Sequence, residues 1–232
     1  MRAVHVQPPN ELGTRDGLAY ALFLPERPAR GGVVTIHGAG SCKENHFDFA
    51  RAVSAAGMAS VAFDQRGHGA SEGALGAGAI DDVATIAQLL PPGPVALRGS
   101  SMGGWLALVA GAALRAAAVV AICPASGELL ARGVRGGDFA FAADSGAVLG
   151  MLASSDERAA ATQLGERLLL LHAEGDERVP IGVSQALAAV APGARFVAVP
   201  GGHHQSIQHD GELQALAVRF IARALSRDGA TS

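Results

Sequence analysis

Lysine is almost missing from this 232-residue chain: Lys43 stands alone among 18 basic residues, the others being arginine. With alanine, glycine and arginine abundant, that scarcity reads as compositional bias without functional content. Cysteine occurs only at Cys42 and Cys123, with no C-x-x-C pair, so no disulfide framework is expected and the chain reads as a reduced, cytoplasmic protein. A formal net charge of −3 with no like-charge block excludes a basic field for nucleic acid and a charged binding tail. No uninterrupted apolar run approaches the ~18 residues of a membrane span. The N-terminal stretch, residues 1–17, lacks the apolar core of a signal peptide. Neither G-x-G-x-x-G nor a Walker-type G-K-S occurs, which removes the usual nucleotide cradles. His5, His46 and His172 are not spaced as metal ligands, so neither metal nor cofactor is expected.

What is present is apolar sequence, 49% of residues, enough at this length to build a full core without staples. Short β-branched runs alternate with longer alanine-rich stretches of helical spacing. Residues 17–25, 31–38, 58–64, 94–99, 116–123 and 194–202 read as strands, and 166–176 as a strand running into a loop. Residues 46–57, 79–93, 102–115, 183–193 and 210–226 read as helices. That alternation predicts βαβ units and a mostly parallel sheet covered on both faces, and continuously apolar strands fit such burial. No repeat and no linker interrupts it, so one domain over 1–232 is expected. Residues 124–165 break the rhythm. Roughly 40 residues without a clear strand exceed an ordinary connection and point to a small cap inserted over a site. Phe139, Phe141, Leu149, Met151 and Leu152 in that segment could wall an acyl pocket, or could simply bury the segment's own small helices.

The chemistry centres on Gly99-Ser100-Ser101-Met102-Gly103, a G-x-S-x-G pattern between a predicted strand and helix. A serine on a sharp strand-to-helix turn projects its hydroxyl from the sheet edge, beside a helix N-terminus able to stabilise a developing oxyanion. Only Ser101 has glycine at both −2 and +2, so Ser100 takes the variable position and a supporting role. On pattern alone, a glycine-rich βα turn with capping serines fits as well. A serine hydroxyl is a weak nucleophile and needs an imidazole base oriented by a carboxylate. Asp176 follows one predicted strand downstream, and His203 and His204 follow the next. Ser…Asp…His, each just past a strand, is the order of α/β-hydrolases.

Together "HGAG" at 37–40, "DQRGHGAS" at 64–71, "GSSMGG" at 99–104, "HAEGDERVP" at 172–180 and "GGHH" at 201–204 resemble the α/β-hydrolase superfamily, in its serine-hydrolase branch of esterases, thioesterases and lysophospholipase-like enzymes. The resemblance spans about residue 30 to the C-terminus. It implies a mostly parallel sheet of about eight strands with helices on both faces and a short cap. It also implies Ser101 as nucleophile, Asp176 as acid, and His204 as base with His203 the alternative. The backbone N–H groups of Ala39 and Met102 would form the oxyanion hole. His37, Asp64, Arg66 and His68 would be structural, and His209 with Asp210 a surface or capping pair. Asp138 and Asp144 stand where some relatives keep their acid, so they remain alternative partners. Arg98, before the elbow glycine, departs from the pattern and predicts a pairing with a loop carboxylate. The implied activity is hydrolysis of small to medium carboxylic esters or thioesters through an acyl-enzyme, without cofactor. A peptidase, perhydrolase or C–C hydrolase on the same residues competes, as does a non-catalytic small-molecule binder. No oligomeric state is implied.

Overall fold

A computed structural model describes residues 6–29 and 31–228. Its centre is an eight-stranded sheet: β1 (Glu11–Arg15), β2 (Leu18–Phe23), β3 (Gly32–Ile36), β4 (Ala59–Phe63), β5 (Val95–Ser100), β6 (Ala118–Ile122), β7 (Leu168–Ala173) and β8 (Arg195–Val199). The spatial order is β1-β2-β4-β3-β5-β6-β7-β8. Strands β3 to β8 run parallel, while β2 pairs antiparallel with both β1 and β4.

Strand β1 lies where the apolar pattern shows nothing, because it is an almost wholly exposed edge. Its signal is the turn. Arg15 pairs with Leu18 across Asp16-Gly17, and both turn residues have positive φ, 51° and 79°. An Asp-Gly dipeptide supplies that left-handed pair for a two-residue hairpin.

The inner strands alternate between two cores. In β7, Leu168 and Leu170 face one and Leu169 and Leu171 the other. Period-two side-chain direction makes four consecutive leucines serve both faces of a doubly covered sheet. One face carries α1 (Phe47–Ala55) and α8 (Gly211–Asp228), through Phe49, Val53, Val218 and Ile221. The other carries α2 (Ala79–Ala87), α3 (Met102–Ala113), α6 (Glu157–Leu164) and α7 (Gly182–Val190). Helix α3 is apolar all round and buried from Met102 to Ala112, since it lies between α2 and α6 on the sheet.

Between β6 and β7 the chain forms α4 (Gly127–Gly136), α5 (Ser145–Ser154) and α6. Helix α6 joins the layer beside α3 and α7, whereas α4 and α5 pack on each other. Each begins on a side-chain cap: Ser126 for α4, Asp144 for α5 and Asp156 for α6. Among the described residues no helix is long and apolar enough to cross a membrane.

Candidate active site

Loops at the C-terminal ends of β3, β5, β7 and β8 converge on a groove of about 810 Å³ that Ala39, Ser100, Ser101 and His204 all line. In a parallel sheet this edge is where strand-end residues can meet.

The turn after β5 is held in a conformation few residues adopt. Ser101 has φ 55° and ψ −120°, outside the comfortable regions for an L-residue and stored only where surroundings enforce it. Its N–H donates to the Ile122 carbonyl (2.9 Å), and its own carbonyl accepts from Trp105 and Ala125 N–H (3.1 Å each). The flanking glycines are required by contact: a Cβ on Gly99 would strike the Gly103 carbonyl, and one on Gly103 the carbonyls of Ile36 and His37. Ser101 thus stands at the mouth of α3, with its side chain in the groove. Met102 opens the helix, so its N–H has no intrahelical acceptor. Among the described residues neither that N–H nor that of Ala39 meets a protein acceptor.

Asp176 and His204 come together across the β7 and β8 loops. The His204 Nδ1–H donates to Asp176 Oδ2 at 2.7 Å, and the carboxylate is fully buried. The other oxygen, Oδ1, accepts the N–H groups of Arg178 and Val179, each at 2.8 Å. Burial opposes ionisation of Asp176, but the Val179 N–H, the His204 ring and further donors outweigh it and hold the carboxyl below its usual range. His204 Nε2 is thereby left as the ring's acceptor nitrogen. His203 is exposed and engages the loop only through its backbone with Ser206, so the ring on the acid is that of His204. Asp144 caps α5 and Asp138 lines the groove rim; neither takes the place of Asp176 beside a histidine.

Several supporting residues carry no obvious sequence signal. His172, buried in β7, accepts from Ser184 Oγ (2.7 Å) and donates to the Val179 carbonyl (2.9 Å), steadying the loop that presents Asp176. Cys123, with φ 42°, places its buried thiol against the same carboxylate, and burial pushes the thiol pKa up. Cys123, Asp176 and His204 offer ligand atoms within 4.8 Å of one another, the one such group among the described residues. That cluster contains the hydrogen-bonded acid–imidazole pair itself. His5 lies outside the described residues.

The "HGAG" and "DQRGHGAS" loops lock together. His37 Nδ1–H donates to the Gly38 carbonyl (2.8 Å), and its Nε2 accepts from the Gln65 N–H (3.0 Å). Burial above all depresses its pKa to about 4, so the ring is neutral. His68 accepts from Gly40 N–H (3.2 Å), and its ring lies against Phe141, centroids 4.1 Å apart. Arg66 binds Asp82 in a fork (2.9–3.1 Å). Asp64 accepts both the N–H (2.7 Å) and the Nζ (2.8 Å) of Lys43. The solitary lysine is therefore a buried structural cation.

Arg98 also departs from expectation. It contacts no carboxylate directly: it donates to His46 Nδ1 and to the Gln208 carbonyl, both at 2.9 Å, and lies 4.5 Å from the Phe49 ring centroid. Complete burial lowers its pKa to about 10. His209 reaches across to Asp48 (2.8 Å), and Asp210 caps α8 through Glu212 and Leu213 N–H.

A second, apolar cavity of about 20 Å³ lies under α4 and α5 next to the groove, with Leu130, Phe139 and Phe141 lining both. Met151 lines it, as do Val148 and Leu152, but Leu149 lines neither space. Helical spacing explains the correction: 148, 151 and 152 share one face of α5, and 149 is turned some 100° away.

A family model described as serine aminopeptidase S33 matches residues 27–133. No curated protein sequence matches the chain. Among solved structures, Est1E from Butyrivibrio proteoclasticus with ferulic acid bound is 18% identical. It superposes with a TM-score of 0.74 over 95% of this chain and 99% of its own. The chain has the α/β-hydrolase fold. The enol-lactonase of Burkholderia xenovorans LB400 aligns at 18% identity and TM-score 0.71, over 91% of this chain and 100% of that one. The monoacylglycerol lipase of Paleococcus ferrophilus does so at 21% and 0.68, over 90% and 98%. The three share the fold with this chain and differ in what they are: a protein with ferulic acid bound, an enol-lactonase and a monoacylglycerol lipase.

Proposed function

We propose that this α/β-hydrolase cleaves small to medium carboxylic esters or thioesters through an acyl-enzyme on Ser101. The reading is carried by one observation: the strained Ser101 and His204 line one groove, and buried Asp176 bonds the His204 ring at 2.7 Å. His204 Nε2 takes the Ser101 proton as Oγ attacks the carbonyl. Asp176, ionised and buried, keeps the ring in the Nδ1–H tautomer and balances the imidazolium that forms. The Ala39 and Met102 N–H groups receive the tetrahedral oxyanion. His204 then protonates the leaving alcohol or thiol and activates the water that releases the acid. Helices α4 and α5, with the loop between them, serve as the cap. Two free thiols favour a reducing compartment, the cytoplasm.

Hydrolysis of p-nitrophenyl acetate and butyrate tests the reading. Ser101→Ala should lose at least about 10³-fold in kcat/KM and all labelling by a fluorophosphonate probe, as removing a triad nucleophile does. Ser100→Ala should keep activity within about tenfold. Undiminished turnover by the Ser101 variant would sink the proposal. A second reading, a serine peptidase, is favoured by the description of the family matched at residues 27–133. Faster cleavage of aminoacyl-p-nitroanilides than of the esters would move the assignment there.

A further inference from the structure

The turn that carries the Ala39 N–H is held from outside by two histidine rings. Ser41 N–H donates to the Gly38 carbonyl (3.2 Å), and Gly40 has φ 69° while Ala39 is outside the left-handed region. Residues 38–41 therefore form a type II turn. It lies against the candidate nucleophile, since a Cβ added to Gly38 would stand 3.2 Å from that of Ser101. The Gly38–Ala39 peptide is anchored by its carbonyl, which accepts the His37 Nδ1–H (2.8 Å). The next peptide, Ala39–Gly40, is anchored by its N–H, which donates to His68 Nε2 (3.2 Å). The tautomer of buried His68 follows from its surroundings: Nδ1 faces the Arg66 carbonyl (3.1 Å) and must carry the proton, leaving Nε2 as acceptor. From the cap side the ring is covered by Phe141, centroids 4.1 Å apart, and Phe141 itself lines the groove.

Resting on the ester-hydrolase reading above, we propose that His68 is a positioning residue for the oxyanion hole: by accepting the Gly40 N–H it keeps the Ala39 amide on the scissile carbonyl oxygen, and it does so only while its ring is neutral. Glycine at position 40 tolerates φ of either sign, so the turn's own sequence does not fix the Ala39–Gly40 peptide. In a type I turn of the same residues that peptide is flipped, with the Ala39 carbonyl where the Gly40 N–H now points. The lone pair on a neutral Nε2 repels that carbonyl and selects the type II form. An imidazolium carries N–H at both nitrogens, so it opposes the Gly40 N–H and favours the flipped carbonyl. The Ala39 N–H meets no protein acceptor among the described residues, so its aim depends on the two peptides that flank it. A hole donor displaced from the developing charge loses its effect on the transition state. His68 faces the Asp64 carboxylate, the edge of the His37 ring (centroids 4.8 Å apart) and uncharged Phe141. Asp64 is already engaged by Lys43 and by the Ala70 N–H, and the Arg66 guanidinium is bound to Asp82. Burial lowers the His68 pKa below its ordinary value, against the Arg66 carbonyl and Asp64, which raise it. The turn is thus clamped near neutral pH and released in acid.

The test uses p-nitrophenyl butyrate and two variants. His68→Phe keeps a ring against Phe141 but removes the acceptor. It should lower kcat on the order of 10-fold or more with KM within about threefold, the pattern of an interaction made only in the transition state. His68→Gln returns a carbonyl acceptor without a titrating ring and should recover most of that kcat. In the wild type the acid limb of log kcat/KM should be steeper than one per pH unit where His68 joins His204 in taking up a proton, and in His68→Gln the slope should be one. A further measurement needs neither variant: in NMR spectra of the wild type, the Gly40 amide should shift with the His68 ring as pH falls and exchange faster with solvent once the ring is protonated. Unchanged kcat in His68→Phe, an equal loss in His68→Gln, or a Gly40 amide indifferent to the His68 ring overturns the inference and leaves the hydrolase reading standing. Cleavage of no ester by the wild type defeats the hydrolase reading, and the oxyanion role with it, even where the Gly40 amide follows the ring.

Discussion

Lys43 and Arg98 show how much a single buried cation depends on what surrounds it. Lys43 is satisfied by the Asp64 carboxylate at 2.8 Å and also reaches Glu44 at the surface. Asp64 is wholly buried, and its remaining capacity takes backbone N–H groups of Lys43 and Ala70. Removing one partner of such a pair leaves an uncompensated charge, which is far worse than removing both. Lys43→Met should lower unfolding free energy by about 3 kcal/mol in urea titrations, and Lys43→Met with Asp64→Asn should recover part of that loss. A double variant as unstable as the single one would contradict a charge-pairing role. Arg98 solves the same problem without a carboxylate in contact, by a ring nitrogen, a carbonyl and an aromatic face. By gripping the Gln208 carbonyl it ties the β5 end to the loop that carries His204.

At the scale of elements, the elbow and α5 make opposite demands on glycine. Gly103 sits where α3 meets the β3 loop, and any Cβ there collides with the backbone of Ile36 and His37. Gly150, on the exposed side of α5, meets nothing within 4 Å. Gly103→Ala should therefore cost several kcal/mol or prevent folding. Gly150→Ala should raise Tm by a few degrees, because helical glycine is about 1 kcal/mol worse than alanine. Thermal unfolding of both variants checks the contrast. The elbow was readable from G-x-S-x-G because the backbone approach itself demands glycines at fixed offsets. The phase of α5 was not readable: Val148, Leu149, Met151 and Leu152 are equally apolar, and only packing on α4 and α3 selects which three face the cavity. Edge strand β1 was missed because exposure removes the apolar alternation, leaving its Asp-Gly turn as the only local mark.

For the molecule as a whole, buried neutral histidines predict how stability responds to acid. Burial depresses the pKa values of His37, His46, His68 and His172, that of His37 to about 4. Between pH 6.5 and 4 the unfolded chain binds more protons at these positions than the native one. Stability is full above pH 6.5 and falls as pH drops through that window. His37 alone accounts for about 3 kcal/mol of that loss, from a shift of 6.5 to about 4. Calorimetric Tm should decline steadily from pH 6.5 to 4.5, and a flat profile would contradict neutral burial. The carboxylates of Asp64 and Asp176, held below their usual range, add to the decline only at lower pH. Strand–helix alternation, the serine elbow and the Ser…Asp…His order are properties of local spacing, so the chain alone specifies them, together with the edge of the sheet where they meet. The choice of His204 over His203 on Asp176 and the use of Lys43 and Arg98 depend on residues tens of positions apart. Each is a matter of which polar atom finds a partner once buried, and that is decided only when the loops close over one another.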